Sequence, residues 1–231
     1  MDIKELSSRL RGKFIVFDGP DGAGKSTQCT LLEQALTTAG GNVVRCRDPG
    51  GTEIGERIRS VILGHDLHKM HVNCETLLFM ASRGQLVAEV IRPSLEAGRT
   101  VLCDRFVSAT CAYQGAAGYD PRQVIELARF AIGTCWPDVT ILMDVETEKG
   151  FTRIAGRLRS TAENKPTTQG ASPETTGDAM EARAIDYHRQ VRRIFHDLHE
   201  YYPTPVITVD CGADVETVHR RVLEALTSFV G

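Results

Sequence analysis

The chain has 231 residues, of which 42% are apolar and 25% charged, with a formal net charge of −3. That length suits one α/β domain with a buried core, and the slightly acidic balance argues against a protein that grips nucleic acid through a basic surface. No apolar run is long enough to cross a bilayer, residues 1–13 lack an apolar signal core, and the seven cysteines are scattered without a C-x-x-C. These features predict a cytoplasmic protein without a disulfide framework or zinc knuckle, and with neither nucleic acid nor membrane among its partners.

Residues 13–18 predict a first strand, followed by G-P-D-G-A-G-K-S at 19–26 and a helix over 24–39 closed by Gly40-Gly41. A strand, a glycine loop and a helix in that order are the context of a Walker A P-loop. The glycines let the backbone turn its N–H groups inward as an anion nest, and the helix adds the positive end of its dipole. Gly19, Pro20, Asp21, Gly22, Ala23, Gly24, Lys25, Ser26 and Thr27 form the expected nucleoside-triphosphate site. Lys25 can reach the β- and γ-phosphates there, and the Ser26 hydroxyl can ligate Mg²⁺.

A second strand is predicted over 42–46, then a loop at 47–51 and a helix over about 52–63 with Thr52 as N-cap. The polar connection 64–72 carries His65, His68 and His71, which read as solvated loop histidines because no carboxylate or thiolate accompanies them. A long helical pattern covers 73–97, kinked or restarted at Pro93 and closed by Gly98. Strand 100–103 leads into Asp104-Arg105 and a helix over 107–115, and Asp120-Pro121 opens another to about 132. Strand 139–145 precedes a helix from about 147 that carries Arg153, Arg157 and Arg159. Residues 160–178 have almost nothing to bury and are expected to form a mobile excursion. Helical order is expected from Met180, with a fifth strand over 205–209 and a final helix over 214–230. The alternation predicts an α/β, doubly wound, five-stranded parallel sheet with helices on both faces. The expected fold is that of a P-loop nucleotide kinase: one domain over 1–231, with a lid and polar insertion at about 153–180.

A P-loop alone leaves ATPase, GTPase and kinase open. Asn164-Lys165-Pro166-Thr167 lacks the Asp of the N-K-x-D motif that switch GTPases carry. Arg47, Arg59, Arg83 and Arg105 are instead predicted to share the ligand edge, and arginine suits bidentate phosphate recognition. Phe79 and Arg83 are i, i+4 neighbours, a ring to stack on a base beside a guanidinium to read its acceptor oxygen. Taken alone, that pair also fits a core Phe beside a surface Arg.

Four segments then stand in a telling order: F-D-G-P-D-G-A-G-K-S-T-Q (17–28), R-D-P-G-G-T-E-I-G-E-R-I-R (47–59), L-L-F-M-A-S-R-G-Q (77–85) and D-R-F-V-S-A-T-C-A-Y-Q-G (104–115). With them the chain resembles the thymidylate kinase family from about Lys13 to the C-terminal helix, excepting the polar excursion. The resemblance implies Mg²⁺-dependent transfer of the ATP γ-phosphoryl group to dTMP, giving dTDP and ADP. It also implies a homodimer packed through helices such as 73–97. Carried over by position, Phe79 resembles the ring that stacks on thymine and Arg83 its hydrogen-bond partner. Arg47 and Arg105 resemble the holders of the acceptor phosphate, and Arg59 another arginine of that pocket. Thr110 and Gln114 resemble base-edge contacts, and Tyr113 the ring under the deoxyribose. Asp21 resembles the carboxylate that organises the sugar and the arginines, and Asp104 can help Ser26 hold Mg²⁺.

The chain departs from the family in two places. Ala109 stands where the family usually has Ser, with Ser108 just before it, and the polar stretch is longer than the usual lid. Some relatives carry a P-loop Arg directly after the acid; here Gly22 follows Asp21, so the catalytic cation is expected from the lid arginines Arg153 and Arg157. An Arg restored at position 22 is expected to recover part of their loss. The readings set against this one are a kinase for another base and a silent nucleotide-binding switch module. Loss of Lys25, Asp104 or the lid arginines would mark the latter, and all are present.

Overall fold

The computed structural model describes residues 1–64, 70–163 and 183–231. His65, His68, Met180, the N-K-P-T run and the polar excursion beyond Glu163 lie outside them. The short runs rich in Val, Ile, Leu and Phe become five parallel strands: β1 (Phe14–Asp18), β2 (Val43–Arg47), β3 (Thr100–Asp104), β4 (Val139–Asp144) and β5 (Val206–Asp210), in the order β2-β3-β1-β4-β5. Strands covered on both faces lose the polar alternation of a half-exposed sheet. All five residues of β1, the central strand, are buried. Its side chains still alternate between faces. Phe14 and Val16 join one core with Phe106, Val107 and Phe195, while Ile15 and Phe17 join another with Leu32, Leu36 and Val222.

Each core is closed by its own helices. On one face lie α1 (Ile3–Arg9), α2 (Lys25–Thr38) and α10 (Val215–Val230), through residues such as Leu6, Leu32 and Leu226. On the other lie α4 (Val72–Leu86), α6 (Val107–Ala116), α7 (Pro121–Ile132) and α9 (Ile185–Asp197), through Met80, Val107, Val124 and Phe195. Helix α3 (Glu53–Ile62) packs on α4, and α8 (Thr147–Glu163) packs on α9. The chain leaves β1 toward one edge of the sheet and β3 toward the other, so a crevice opens at the carboxyl ends of these two neighbours. Register sets the height of what lies there: Asp104 pairs with Phe17 on one side and Arg47 on the other.

The capping signals at Thr52 and Asp120 act as read: Thr52 accepts from the Gly55 N–H, and Asp120 precedes Pro121 in the first turn of α7. Asp214 caps α10 as well, accepting from the Thr217 N–H.

The pattern over 73–97 divides into α4, a π-type turn (Val87–Ile91) and a short α5 (Arg92–Glu96), a restart at Pro93 rather than a simple kink. Pro93 cannot donate into the helix ladder, and the wide turn before it accommodates that. Three expectations change. Residues 160–163 continue α8 rather than starting the excursion. The helix expected from Met180 is first described at Ile185. Finally, α1 was not expected: Asp2 caps it and Leu6 and Leu10 are buried, but one short helix offers too few apolar repeats to register as a period. His71 is a cap as well, its Nδ1 accepting from the Asn73 N–H at 3.2 Å. No metal-binding group of three or more His, Cys, Asp or Glu exists among the described residues.

Candidate active site

The P-loop follows β1 directly, and glycine is required in it. Gly19 and Gly22 have φ of +135° and +77°, and a Cβ on either would collide with backbone, of Met143 and of Gly150 respectively. The position 22 contact bears on the idea of an Arg there. The first turn of α8 lies against the loop at that point, so a side chain at 22 would displace the loop rather than supply a cation.

Lys25 opens α2 with only 7% of its surface exposed, and its Nζ donates to the carbonyls of Gly19 at 3.0 Å and Pro20 at 2.8 Å. Burial lowers its pKa, helped by Arg105 and opposed by Asp21, Asp104 and Asp18. The side chain is folded over its own loop, not extended into solvent. One residue on, the Ser26 hydroxyl donates to Asp104 Oδ2 at 2.5 Å. A hydroxyl and a carboxylate, both hard oxygen donors, thus meet where the triphosphate end of the loop lies, and the pair fits Mg²⁺ chemistry.

Arg105 links the loop to a second cleft. It is the non-glycine residue with positive φ among those described, at +69°, in the bend from β3 to α6. Such backbone is strained and is held by its surroundings. Its guanidinium bonds to Asp21, to the Gly19 carbonyl at 3.3 Å and to the Tyr113 hydroxyl at 3.1 Å, and lies 4.9 Å from the Tyr113 ring centroid. The Tyr113 hydroxyl in turn donates to Asp21 Oδ2 at 2.6 Å. Burial works to raise the Asp21 pKa, but Arg105, Lys25 and Tyr113 outweigh it and the net shift is downward. Asp18 behaves oppositely: burial prevails over Arg105 and Ser108, and its pKa is raised.

The second cleft holds about 510 Å³ of free space, counting that open to solvent. Phe79, Arg59, Arg83, Arg105, Thr110, Tyr113, Gln114 and Asp21 all line it, together with Asp48, Pro49, Leu63 and Ala109. Arg83 is fully buried, with Nε 2.5 Å from Asp48 Oδ2 and Nη2 donating to the Phe106 carbonyl at 3.1 Å and Thr110 Oγ1 at 2.9 Å. It is therefore no surface arginine behind a core Phe. Arg59 donates to the Pro49 carbonyl at 2.8 Å. Both ends of the Gln114 amide are buried without a hydrogen-bond partner, polar atoms turned to a cleft that a ligand can fill. Arg47 sits apart from this wall, at the end of β2, paired with Glu56 at 2.8 Å. The displaced hydroxyl is resolved too: Ser108 donates to Asp18 at 2.5 Å, and Ala109 presents only a methyl to the cleft.

A third space, on the other side of the P-loop, is bounded by Gly22, Gly24, Thr27, Arg153, Arg157, Asp214 and Val218, among others. Arg153 donates there to three carbonyls, Gly22 at 3.3 Å, Cys211 at 2.9 Å and Ala213 at 3.2 Å. It staples the loop after β5 to the P-loop. Arg157, one turn further along α8, is exposed at the edge of the same space.

Sequence reasoning assigned no role to several residues of this site. Asp18 holds the Gly19 N–H, the Phe106 N–H and Ser108 together beneath Arg105. His188 of α9 lies with Nδ1 3.9 Å from Asp21. Tyr187 donates to the Tyr113 carbonyl at 2.6 Å, and Arg183 grips buried Glu75 at 2.8 Å. Asp48 carried a signal, an acid between Arg47 and Pro49 at a strand end. The α9 residues carried none.

A glycine loop with its Lys and Ser on the central strand, beside an arginine-rich cleft at the same sheet edge, defines a phosphoryl-transferring enzyme of the P-loop nucleotide kinase class. Comparison with known proteins narrows the class. A family model described as thymidylate kinase matches residues 17–222. A thymidylate kinase of Halothermothrix orenii is 38% identical over 214 residues, covering 92% of this chain and 95% of the relative. One of Thermomicrobium roseum is 40% identical over 218 residues, covering 94% and 95%. The crystal structure of thymidylate kinase from Ehrlichia chaffeensis superposes with a TM-score of 0.68 at 28% identity, covering 94% of this chain and 99% of that one. The chain belongs to the thymidylate kinase family.

Proposed function

We propose that this chain is a single-domain ATP:dTMP phosphotransferase that works with Mg²⁺, as a homodimer, in the cytoplasm. The observation that carries this reading is Asp21, which belongs to the P-loop and also lines the second cleft, where it holds Arg105 and Tyr113. Donor and acceptor phosphates bound in the two places would meet across that cluster. Phosphoryl transfer asks mainly for positioning and charge neutralisation, and the site offers both.

In this reading the P-loop amides and Lys25 bind the ATP phosphates. Ser26 and Asp104 would hold Mg²⁺, which would supply charge neutralisation for the donor phosphates. Arg105 and Arg59 bind the acceptor phosphate from the cleft, and Arg47 joins them on exchanging its Glu56 partner for that phosphate. Phe79 stacks on the base, Arg83, Thr110 and Gln114 meet its edge, and Tyr113 lies under the sugar. Arg157 approaches the transferring group from α8, while Arg153 fixes the loop beside it. For the homodimer, the support is apolar surface: Leu77 on α4 is 56% exposed and Phe130 on α7 is 94% exposed, and the two helices pack together. No helix among the described residues is long and apolar enough to cross a membrane.

A coupled assay under ATP and Mg²⁺ with dTMP, dUMP, dGMP and AMP tests the reading. Turnover is expected with dTMP foremost. Preference for a purine monophosphate, or no turnover with any of the four, would overturn it.

A further inference from the structure

We propose that Arg183 is a positioning residue of the acceptor site, acting on Tyr113 through Tyr187 and keyed to α4 by Glu75; this rests on the dTMP reading above. None of Arg183, Tyr187 and Glu75 lines the acceptor cleft. They belong to the surroundings of α6, the helix that carries Thr110, Tyr113 and Gln114 into it. Helix α6 packs against both α4 and α9. Glu75 stands on the first and Tyr187 on the second, and Arg183, two residues before α9, bonds to both.

Glu75, Phe79 and Arg83 follow one another at i, i+4 and i+8 on α4. The acid therefore shares a stripe with the ring and the guanidinium that line the cleft. Glu75 is 5% exposed, and a carboxylate so buried is costly unless paired. Arg183 Nη2 supplies the partner, 2.8 Å from Oε1 and 3.1 Å from Oε2. The other terminal nitrogen, Nη1, donates to the Tyr187 hydroxyl at 2.8 Å, and the guanidinium lies 4.8 Å from the centre of that ring. Glu75 thus fixes where the guanidinium stands, and the guanidinium fixes the Tyr187 hydroxyl.

A phenol has one hydrogen to give. With Arg183 donating into its oxygen, Tyr187 turns that hydrogen to the Tyr113 carbonyl, 2.6 Å away. A cation on the accepting side of the hydroxyl strengthens the bond on its donating side. Tyr113 is in the last turn of α6, where carbonyls take partners from outside the helix. Its own hydroxyl donates to Asp21 at 2.6 Å and accepts from Arg105 at 3.1 Å. An unbroken path runs from Glu75 through Arg183, Tyr187 and the frame of Tyr113 to Asp21 and Arg105. It ends on groups that line the acceptor cleft, and Lys25, the donor-side cation, is not on it.

The test uses Glu75→Met with Arg183→Met, Tyr187→Phe, and all of these changes together, each measured for kcat, KM for dTMP, KM for ATP and melting temperature. Replacing both members of the buried pair leaves no unpaired charge, so that double variant should melt near wild type. Its KM for dTMP should rise about tenfold, while KM for ATP stays within about twofold. Tyr187→Phe keeps the ring and the Glu75 pair and loses only the hydroxyl, and should raise KM for dTMP by a similar factor. The triple variant should add less than about twofold to either effect, because both changes cut one path. The assignment is overturned if the folded double variant keeps the wild-type KM for dTMP, if it weakens both substrates alike, or if the effects multiply in the triple variant. Should the double variant fail to fold, Tyr187→Phe decides: a raised KM for dTMP alone supports the assignment, and any other result refutes it. Failure of the dTMP reading shows separately, as wild-type enzyme that does not turn over dTMP.

Discussion

The hydroxyl of Ser26 donates to the carboxylate of Asp104 across 2.5 Å, tying the first turn of α2 to the carboxyl end of β3. The bond needs no metal, yet both partners are oxygen ligands of the kind Mg²⁺ prefers. In Asp104→Asn the Ser26 hydroxyl keeps an acceptor, so the fold should hold, while one anionic ligand is lost. The Mg²⁺ concentration for half-maximal turnover should rise by about tenfold or more. An unchanged Mg²⁺ titration would remove Asp104 from the metal site.

Phe79 lines the cleft on the same helix as Arg83 and is only partly buried. Removing its ring should cost about 1–3 kcal/mol of dTMP binding, the range for one stacking platform, with little change for ATP. Calorimetric titration of Phe79→Ala with each nucleotide reads both. Equal weakening of the two would mean that the ring serves the core and not the base.

The two arginines of α8 differ in exposure. Arg153 is half-buried and donates to three backbone carbonyls, and Arg157 is exposed at the edge of the same space. Arg157→Ala should lower kcat about a hundredfold, equivalent to about 2.7 kcal/mol, with a smaller change in KM for dTMP. Arg153→Ala should lower the melting temperature as well as kcat, because it releases the loop after β5. If both variants keep near-native kcat, neither supplies the catalytic cation. Gly22→Arg in the Arg157→Ala background should give no recovery, since its side chain would meet the Gly150 backbone.

Asp21 gives a pH signature. Its pKa in the folded protein is depressed below the ordinary value of 3.8, because Arg105, Lys25 and Tyr113 outweigh burial. A depressed acid binds fewer protons folded than unfolded, so its contribution to stability is present in full above pH 3.8 and is lost as pH falls through the folded value. The melting-temperature gap between wild type and Asp21→Asn should therefore be constant from pH 7 to about 5 and shrink below about 4. A gap that widens on acidification would reverse the assigned shift.

The exposed apolar pair on α4 and α7 predicts association. Light scattering should give twice the chain mass for wild type and the single mass for Leu77→Glu combined with Phe130→Glu. A wild-type monomer at micromolar concentration would end the homodimer proposal.

What could be read in the sequence followed from local physics. The strands, the P-loop and the caps at Thr52 and Asp120 depend on residues within one turn of each other, and each is found where its pattern lies. The cleft was legible in part: Phe79, Arg83, Thr110, Tyr113 and Gln114 were named, and all line it. Pairings between distant segments were not. Nothing near Arg83 indicates that Asp48, 35 residues away, will take its Nε, and nothing near Asp21 announces His188. The missed α1 and the π-type turn before Pro93 have a related cause, since their stability comes from what they pack against and not from their own periodicity.

Lys25 donates to the carbonyls of Gly19 and Pro20, two residues of its own loop. In the proposed kinase, binding a triphosphate is therefore an exchange of partners for the ammonium, from two neutral carbonyls to anionic oxygens, not the capture of a bare charge. The loop satisfies its own buried cation, and a ligand must be anionic enough to compete with two internal carbonyls before Lys25 turns to it.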